Sequence, residues 1–270
     1  MFKKSLYLIG IVSCFLLFSS YARAEVDAEV AYILNTFSFL VCGFLVMWMA
    51  AGFLFLESGL VTTRSVSTIA AKNIGKFAIV SIVFYLFGYN LGYGVEEGGY
   101  LGFPSLWTDN TSMDTGYSDA SDWFFQALFV CATVSIVSGA VAERIKIWPF
   151  FVFAAVLGGL IYPIQMGWEW GGGWLDALGF SDFAGSTLVH ACGGSAALAG
   201  VILLGPRLGR FTDTGEPVNM APFAPSSIPL VTLGTFILWM GWYGFNGGSQ
   251  LALGSYEDAT AMSQIFMNTQ

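Results

Sequence analysis

Charged residues are scarce in this sequence. Only 10% of its 270 residues are charged and 56% are hydrophobic, whereas a soluble domain carries roughly 25% charged residues. This shortage excludes an ordinary soluble domain and indicates a chain whose solvent is lipid. The formal net charge is −8, and no basic stripe runs along the sequence, which excludes a nucleic-acid-binding protein.

Histidine and cysteine are also scarce. The chain has one histidine and four cysteines, with no CxxC spacing, no HExxH motif and no Ser/His/Asp order. A single histidine with scattered cysteines provides no zinc ligand set, and an intramembrane enzyme would lack its catalytic motif. We therefore expect no enzyme, no metal and no cofactor. The cysteines lie in apolar runs and are interpreted as small buried side chains: Cys14, Cys42, Cys131 and Cys192.

The N-terminal segment has the pattern of a targeting signal. A pair of lysines precedes the apolar run LYLIGIVSCFLLF, and Ala22 and Ala24 occupy the small-residue positions of the site YARA. This pattern predicts a secretory signal peptide over residues 1–24 and one membrane domain over residues 25–270. An uncleaved signal anchor is the alternative, and either segment directs the following chain to a membrane.

Six apolar runs are long enough to cross a bilayer as helices. Their glycines and prolines are tolerated in membrane helices because neighbouring helices satisfy the freed backbone groups. The sequence therefore predicts an all-α polytopic membrane protein, with a seventh span beginning near residue 262. The six predicted spans are 30–56, 73–93, 122–142, 147–167, 184–204 and 228–252.

The basic residues group in alternate connections between these spans. By the positive-inside rule, the odd-numbered connections are cytoplasmic and the mature N-terminus is outside. The second connection, residues 94–121, carries five acidic residues and is either a solvated loop or an acidic surface that attracts cations. The predicted cytoplasmic connections are 57–72, 143–147 and 205–227. The basic residues assigned to the odd-numbered connections are Arg64, Lys72, Lys76, Arg144, Lys146, Arg207 and Arg210.

The stretch DFAGSTLVHACGGSAALAG places Asp182 and His190 in the fifth run. An aspartate just before a helical run is a natural N-cap, and its charge could also bias the site towards cations. At the depth of His190, an ionisable ring needs a polar partner or a water-filled path. It could contact a small solute, relay protons, or join two helices. Gly193 and Ala197 have the spacing that lets helix backbones approach closely, so we expect this span to lie among other helices.

Aromatic side chains are plentiful in and near the other spans. Phe125 and Phe129 are four residues apart and share a helix face, as do Phe245 and Ser249. Trp170 lies in GWEWGGGW, where a ring is either an anchor at the membrane interface or part of a cation site made of ring faces and a hydroxyl. Composition does not choose between the two.

Four fragments together resemble the ammonium transporter family, relatives of the Rhesus proteins: DFAGSTLVH, GAVAERI, YPIQMGWEWGGGWL and GWYGFNGGS. The resemblance begins near residue 30 and implies an eleven-helix subunit built from inverted five-helix repeats. It implies a homotrimer in the inner (cytoplasmic) membrane, one narrow pore per subunit, ammonium or ammonia as the substrate, and a cytoplasmic regulatory protein as a partner. On this basis the chain holds the first repeat, the sixth helix and a stub of the seventh. We expect it to be incomplete at its C-terminus and inactive alone, or to pair with a complementary half.

The resemblance also implies roles for individual residues. Phe129 and Phe245 would form a gate, and His190 would line the apolar pore below it, where the family has a second histidine that this chain lacks. The residues that would recruit ammonium, with the aspartate also ordering the backbone of the site, are Trp170, Phe125, Phe129, Ser249 and Asp182.

Some features depart from the family pattern. Gly185 and Ser186 stand where the family often has two glycines, and Glu169 beside Trp170 is not required by the motif. That carboxylate either attracts cations or lies in water. Two other functions within the same family are a membrane ammonium sensor and a Rhesus-like channel for neutral gas.

Overall fold

The structure is a computed structural model that describes residues 26–270. The predicted signal peptide lies outside these residues. Within them, the secondary structure is helical apart from one isolated β-bridge, and six helices are long and apolar enough to cross a membrane, as the sequence predicts. The helices are α1 (Ala28–Leu60), α2 (Thr63–Tyr93), α3 (Asp119–Ala140), α4 (Ile147–Gly167), α5 (Ser186–Leu204), α6 (Ile228–Gly248) and α7 (Tyr256–Thr269).

Three of these helices contain a π-helical turn, in which one extra residue is accommodated without ending the helix. The turns are Phe84–Gly88 in α2, Leu157–Ile161 in α4 and Ser186–Ala191 in α5. Turns of this kind occur frequently at functional sites. In α5 the π turn contains His190.

The first connection differs from its prediction. α1 continues to Leu60 and α2 already begins at Thr63, so the predicted connection 57–72 is wrong and only two residues join the helices. The connection between α3 and α4 is residues 141–146 and lies within a few residues of its prediction, and α7 begins at Tyr256 instead of near residue 262.

Lys72 and Lys76 consequently lie inside α2, where their side chains are 4% and 2% exposed. Both face Glu57 of α1: its carboxylate oxygens lie 3.2 Å from the Lys72 Nζ and 3.7 Å from the Lys76 Nζ. Lys72 also donates to the backbone oxygen of Ser138 in α3, and the Ser138 hydroxyl donates to Glu57. Charges are tolerated in a membrane helix when they are paired and hydrogen-bonded in this way.

We expect the substitution Glu57→Gln to destabilise the protein by about 3–5 kcal/mol, since removing one partner of a buried ion pair leaves an uncompensated charge. The matched variant Lys76→Met should be tolerated, because the Glu57–Lys72 pair then remains neutral. Thermal unfolding of the purified full-length protein in detergent measures both. Equal stability of the two variants would contradict a role of Glu57 as the shared counter-charge.

α1 and α6 pack along a seam of glycines. A Cβ atom added at Gly234 would lie 2.4 Å from the backbone nitrogen of Leu56, and one added at Gly241 would lie 2.2 Å from the Met49 side chain. The two backbones therefore approach as closely as small residues allow in membrane helices. This contact fixes the position of the C-terminal part of α6, which carries Phe245.

α5 packs against α3 in the same manner. A Cβ atom at Gly193 would lie 2.8 Å from the backbone oxygen of Thr133, and Ala197 is buried. The predicted close approach is met on the face of α5 that contacts α3, whereas most of this span is exposed in the described structure. The packing brings the first turns of α5 next to Phe129.

The three odd-numbered connections meet at one end of the bundle, around Glu143. Its carboxylate accepts hydrogen bonds from Arg207, which follows α5, and from Thr62, which joins α1 to α2. Burial raises the pKa of Glu143, but hydrogen bonds from Thr62, Ser65 and Arg207 outweigh it and hold the pKa below its ordinary value. Glu143 is therefore the ionised centre of this end.

Candidate functional site

A cavity of about 360 Å³ lies at the opposite end of the bundle. It holds roughly ten times the volume of one liquid water molecule, enough for a small, partly hydrated cation. Residues from α2, α3 and the connections at this end, including Ser249 directly after α6, form its wall. They are Tyr89, Tyr93, Tyr117, Asp122, Phe125, Gln126, Phe129, Trp170, Phe183, Ser249 and Leu251.

The cavity brings together Phe125, Phe129, Trp170 and Ser249, which the family resemblance places in one site. The ring centroids of the two phenylalanines are 4.6 Å apart, and the Trp170 ring is 6.0 Å from Phe129 at an angle of 66°. The Ser249 hydroxyl donates to the backbone oxygen of Phe245 at 2.8 Å, so its lone pairs remain available as acceptors. Ring faces and a hydroxyl oxygen suit a small cation.

Trp170 is held in the cavity wall by a hydrogen bond from its Nε1 to the backbone oxygen of Asp182, at 2.7 Å. The ring therefore lines the cavity next to Phe129. The neighbouring Trp168 instead packs beside Trp174, with its Nε1 bonded to the backbone of Tyr100.

Asp182 caps the N-terminal end of α5, as predicted. It is 7% exposed, and its carboxylate does not line the cavity. Asp182 influences the cavity indirectly: its backbone oxygen accepts the Trp170 hydrogen bond, and its carboxylate holds the start of α5. The carboxylate accepts four backbone N–H hydrogen bonds of 2.7–3.0 Å, from Gly185, Ser186, Thr187 and Leu188.

Glu169 is buried behind the same segment, with 8% of its surface exposed. Its Oε1 accepts a hydrogen bond from the backbone N–H of Asp182 at 2.9 Å, and burial raises the pKa of Glu169. The interpretation that this carboxylate lies in water is therefore wrong. It supports the turn that carries Asp182.

Two stacked rings close the floor of the cavity. Phe129 of α3 and Phe245 of α6 have centroids 3.9 Å apart and planes 18° from parallel, and each is 1% exposed. At this separation the rings are in van der Waals contact, so a molecule as large as water does not fit between them.

His190 does not line the cavity but contacts Phe245, one ring of this pair. Its ring is 5.4 Å from Phe245, edge to face, and stacks at 5.1 Å on Trp242. Its Nδ1 lies 3.1 Å from the backbone oxygen of Gly185. A carbonyl oxygen only accepts, so Nδ1 donates this hydrogen bond, and in the Nδ1–H tautomer Nε2 carries the acceptor lone pair. In the π turn the backbone N–H of His190 donates to the same Gly185 oxygen, at 2.9 Å.

The model of the Ammonium Transporter Family matches residues 37–270. The chain belongs to the ammonium transporter family. It is 42% identical to a putative ammonium transporter of Synechocystis over 99% of this chain and 61% of that protein. It is also 42% identical to the ammonium transporter Amt2 of Archaeoglobus fulgidus, over 79% of this chain and 47% of the relative. The chain thus spans about half to three fifths of the length of these relatives.

The fold of this ammonium transporter family member is similar to that of a solved structure named Sensor Amt Protein. The TM-score is 0.78 and the identity is 32%, over 87% of this chain and 59% of that one. The chain is therefore an all-α, multi-pass membrane protein with the fold of its family. The curated relatives are named as transporters and not as enzymes.

Several cavity residues of this family member escaped the sequence analysis, above all Asp122 and Gln126. Together with Phe125 and Phe129 they have the spacing i, i+3, i+4, i+7 of one helix face, a signal that was present in the sequence. Tyr89 was not predictable in this way, because packing of α2 against α3 brings it to the cavity from 33 residues away.

Proposed function

We propose that the full-length protein transports ammonium nitrogen across a cell membrane. The observation that carries this proposal is a chain of contacts: Phe129 lines an aromatic cavity, Phe245 stacks on Phe129, and His190 contacts Phe245. The family of the chain supports the same substrate.

In this proposal, ammonium enters the cavity and exchanges part of its hydration for contacts with the protein. The ring faces of Phe125 and Trp170 attract the cation, and the Ser249 hydroxyl oxygen accepts one of its N–H groups. These contacts offset part of the free energy of dehydration, which is the main barrier to moving an ion into an apolar interior. Asp182 contributes by holding Trp170 and the first turn of α5 in place.

Phe129 and Phe245 form the gate. Because the rings are stacked at 3.9 Å, passage requires at least one of them to rotate. Behind the gate, the free Nε2 of His190 accepts a hydrogen bond from ammonia or takes up the proton that ammonium releases. Once the proton has separated from the nitrogen, neutral ammonia and not a cation enters the apolar pore.

We further propose that the cavity faces the outside of the inner membrane and that the basic end is cytoplasmic. Two features favour this orientation. The connection between α2 and α3 is acidic, and Arg207 meets the basic α3–α4 connection at the opposite end. The signal peptide, homotrimeric assembly and a cytoplasmic regulator belong to the same proposal and rest on the sequence pattern and the family.

Reconstitution of the full-length protein in liposomes tests the function. An ammonium chloride pulse should produce an inward positive current, whereas a potassium chloride pulse should not, and liposomes without protein provide the background. A change of internal pH without current would favour the Rhesus-like channel for neutral gas. Absence of both signals would overturn the proposal.

The similarity to the Sensor Amt Protein supports a second candidate, an ammonium-sensing membrane module. The same cavity would then bind ammonium and report its occupancy to a signalling domain. A sensor should bind ammonium at the cavity, detected as thermal stabilisation by ammonium chloride, without sustaining current in the liposome assay.

A further inference from the structure

Asp122 places a carboxylate inside the cavity. It is the fourth residue of α3, it is 7% exposed, and it lines the cavity with Phe125 and Phe129 of the same helix. Burial of a carboxylate is costly unless the charge finds partners. The role of Asp122 therefore depends on what surrounds it.

The partners in the cavity wall leave the charge of Asp122 unbalanced. One carboxylate oxygen accepts a hydrogen bond from the Tyr89 hydroxyl at 2.5 Å. Among the described residues, no lysine or arginine lines the cavity and no ion pair involves Asp122. The N-terminal end of α3 supplies only a partial positive charge. A cation in the cavity would complete the balance.

Gln126, whose side chain interacts with Asp122, has an unfilled acceptor of its own. It is 6% exposed, lies one helical turn from Asp122, and its Oε1 has no hydrogen-bond partner in the described part of the chain. Most buried polar side-chain atoms have a partner. An N–H group placed between Gln126 and Asp122 would satisfy both side chains.

We infer that Asp122 is an anionic ligand of the ammonium cation in the cavity, with the Gln126 oxygen as a second acceptor. The inference rests on the proposed function and deepens it, because it adds a carboxylate and an amide oxygen to the groups that bind the ammonium cation. Ring faces attract any small cation, whereas the two oxygens and the Ser249 hydroxyl favour one that donates several hydrogen bonds. Ammonium and methylammonium are therefore preferred to potassium.

The variant Asp122→Asn tests this in the full-length protein, since it removes the charge and keeps the shape. The ammonium concentration at half-maximal current should rise at least about tenfold, equivalent to about 1.4 kcal/mol of binding free energy, with little change in maximal current. Asp119→Asn is the matched control: it removes the same charge from the same helical turn, but Asp119 does not line the cavity. It should shift the value less than about twofold, as expected for a screened surface charge.

A second variant and a binding measurement keep the test decisive. Gln126→Met retains the side-chain length and removes the acceptor, and should raise the half-maximal concentration at least threefold. Stabilisation of the purified protein by ammonium chloride over equal potassium chloride should be lost in Asp122→Asn and kept in Asp119→Asn.

The outcomes separate this inference from the proposed function. Suppose that the protein carries no ammonium current, but that ammonium stabilises the wild type and not Asp122→Asn. This result would reject the transport proposal and support the ligand role of Asp122. Normal current with equal shifts in the Asp122 and Asp119 variants, or with no shift in either, would overturn the ligand role alone. Loss of maximal current at unchanged half-maximal concentration would also overturn it, by assigning Asp122 a structural role.

Discussion

Replacing His190 by alanine should abolish net ammonium transport by the full-length protein, lowering the rate by a factor of about 100 or more, the size of effect that a positioned proton acceptor contributes. The ring contacts Phe245 and does not line the cavity. Alanine removes its Nε2 acceptor and leaves the nitrogen that passes the gate without a hydrogen-bond partner. Uptake of labelled methylammonium and the ammonium current in liposomes both measure the effect.

The matched control for His190 is Trp242→Phe. It alters the ring on which the histidine stacks but leaves the Nδ1 bond to Gly185 and the Nε2 acceptor in place. Transport should persist within a few-fold of wild type. Unchanged methylammonium uptake by His190→Ala would refute the pore-lining role, and equal loss in both variants would reduce the histidine to a packing residue.

Replacing Asp182 by alanine should also eliminate transport and should lower stability by about 3 kcal/mol or more. Four backbone N–H groups lose their acceptor at once, and each buried unsatisfied donor costs about 1–3 kcal/mol. The turn that holds Trp170 and begins α5 loses its anchor, so the cavity and the histidine are both displaced. Thermal unfolding in detergent and the liposome current measure the two effects.

Asp176→Ala removes the same charge from the same connection and serves as the control. Asp176 is exposed, so its loss should leave stability and current close to wild type. The stability and the current of Asp182→Asn should lie between those of Asp182→Ala and Asp176→Ala, because the amide retains one acceptor oxygen. If Asp182→Ala unfolds at the wild-type temperature, the cap is not what holds the site together.

The helices and their number were predictable because a membrane imposes a length and an apolar composition on every span. The boundary near Glu57 was not predictable, because Lys72 and Lys76 resemble loop residues until their shared partner is known. That partner lies on another helix, and local hydropathy contains no information about it.

Much of the site could be anticipated from the family resemblance, which groups Trp170, Phe125, Phe129 and Ser249. The residues alone did not decide the location of Trp170, since an interfacial tryptophan and a cavity tryptophan have the same local sequence. Asp122 was missed for a related reason: it stood at the expected start of a span, where an acidic residue is ordinary. Its partner Tyr89 comes from α2, and only the packing of the bundle joins them.

The π turn at the start of α5 determines the direction in which the His190 ring points. An α-helix advances by about 100° per residue, so deleting one residue from Ser186–Ala191 would rewind the turn to ordinary pitch. The helix would survive almost unchanged in length, yet the imidazole would swing by roughly a quarter of a revolution and leave the line that passes through Phe129 and Phe245. A single inserted residue thus sets the direction of the imidazole ring, independently of which side chains surround it.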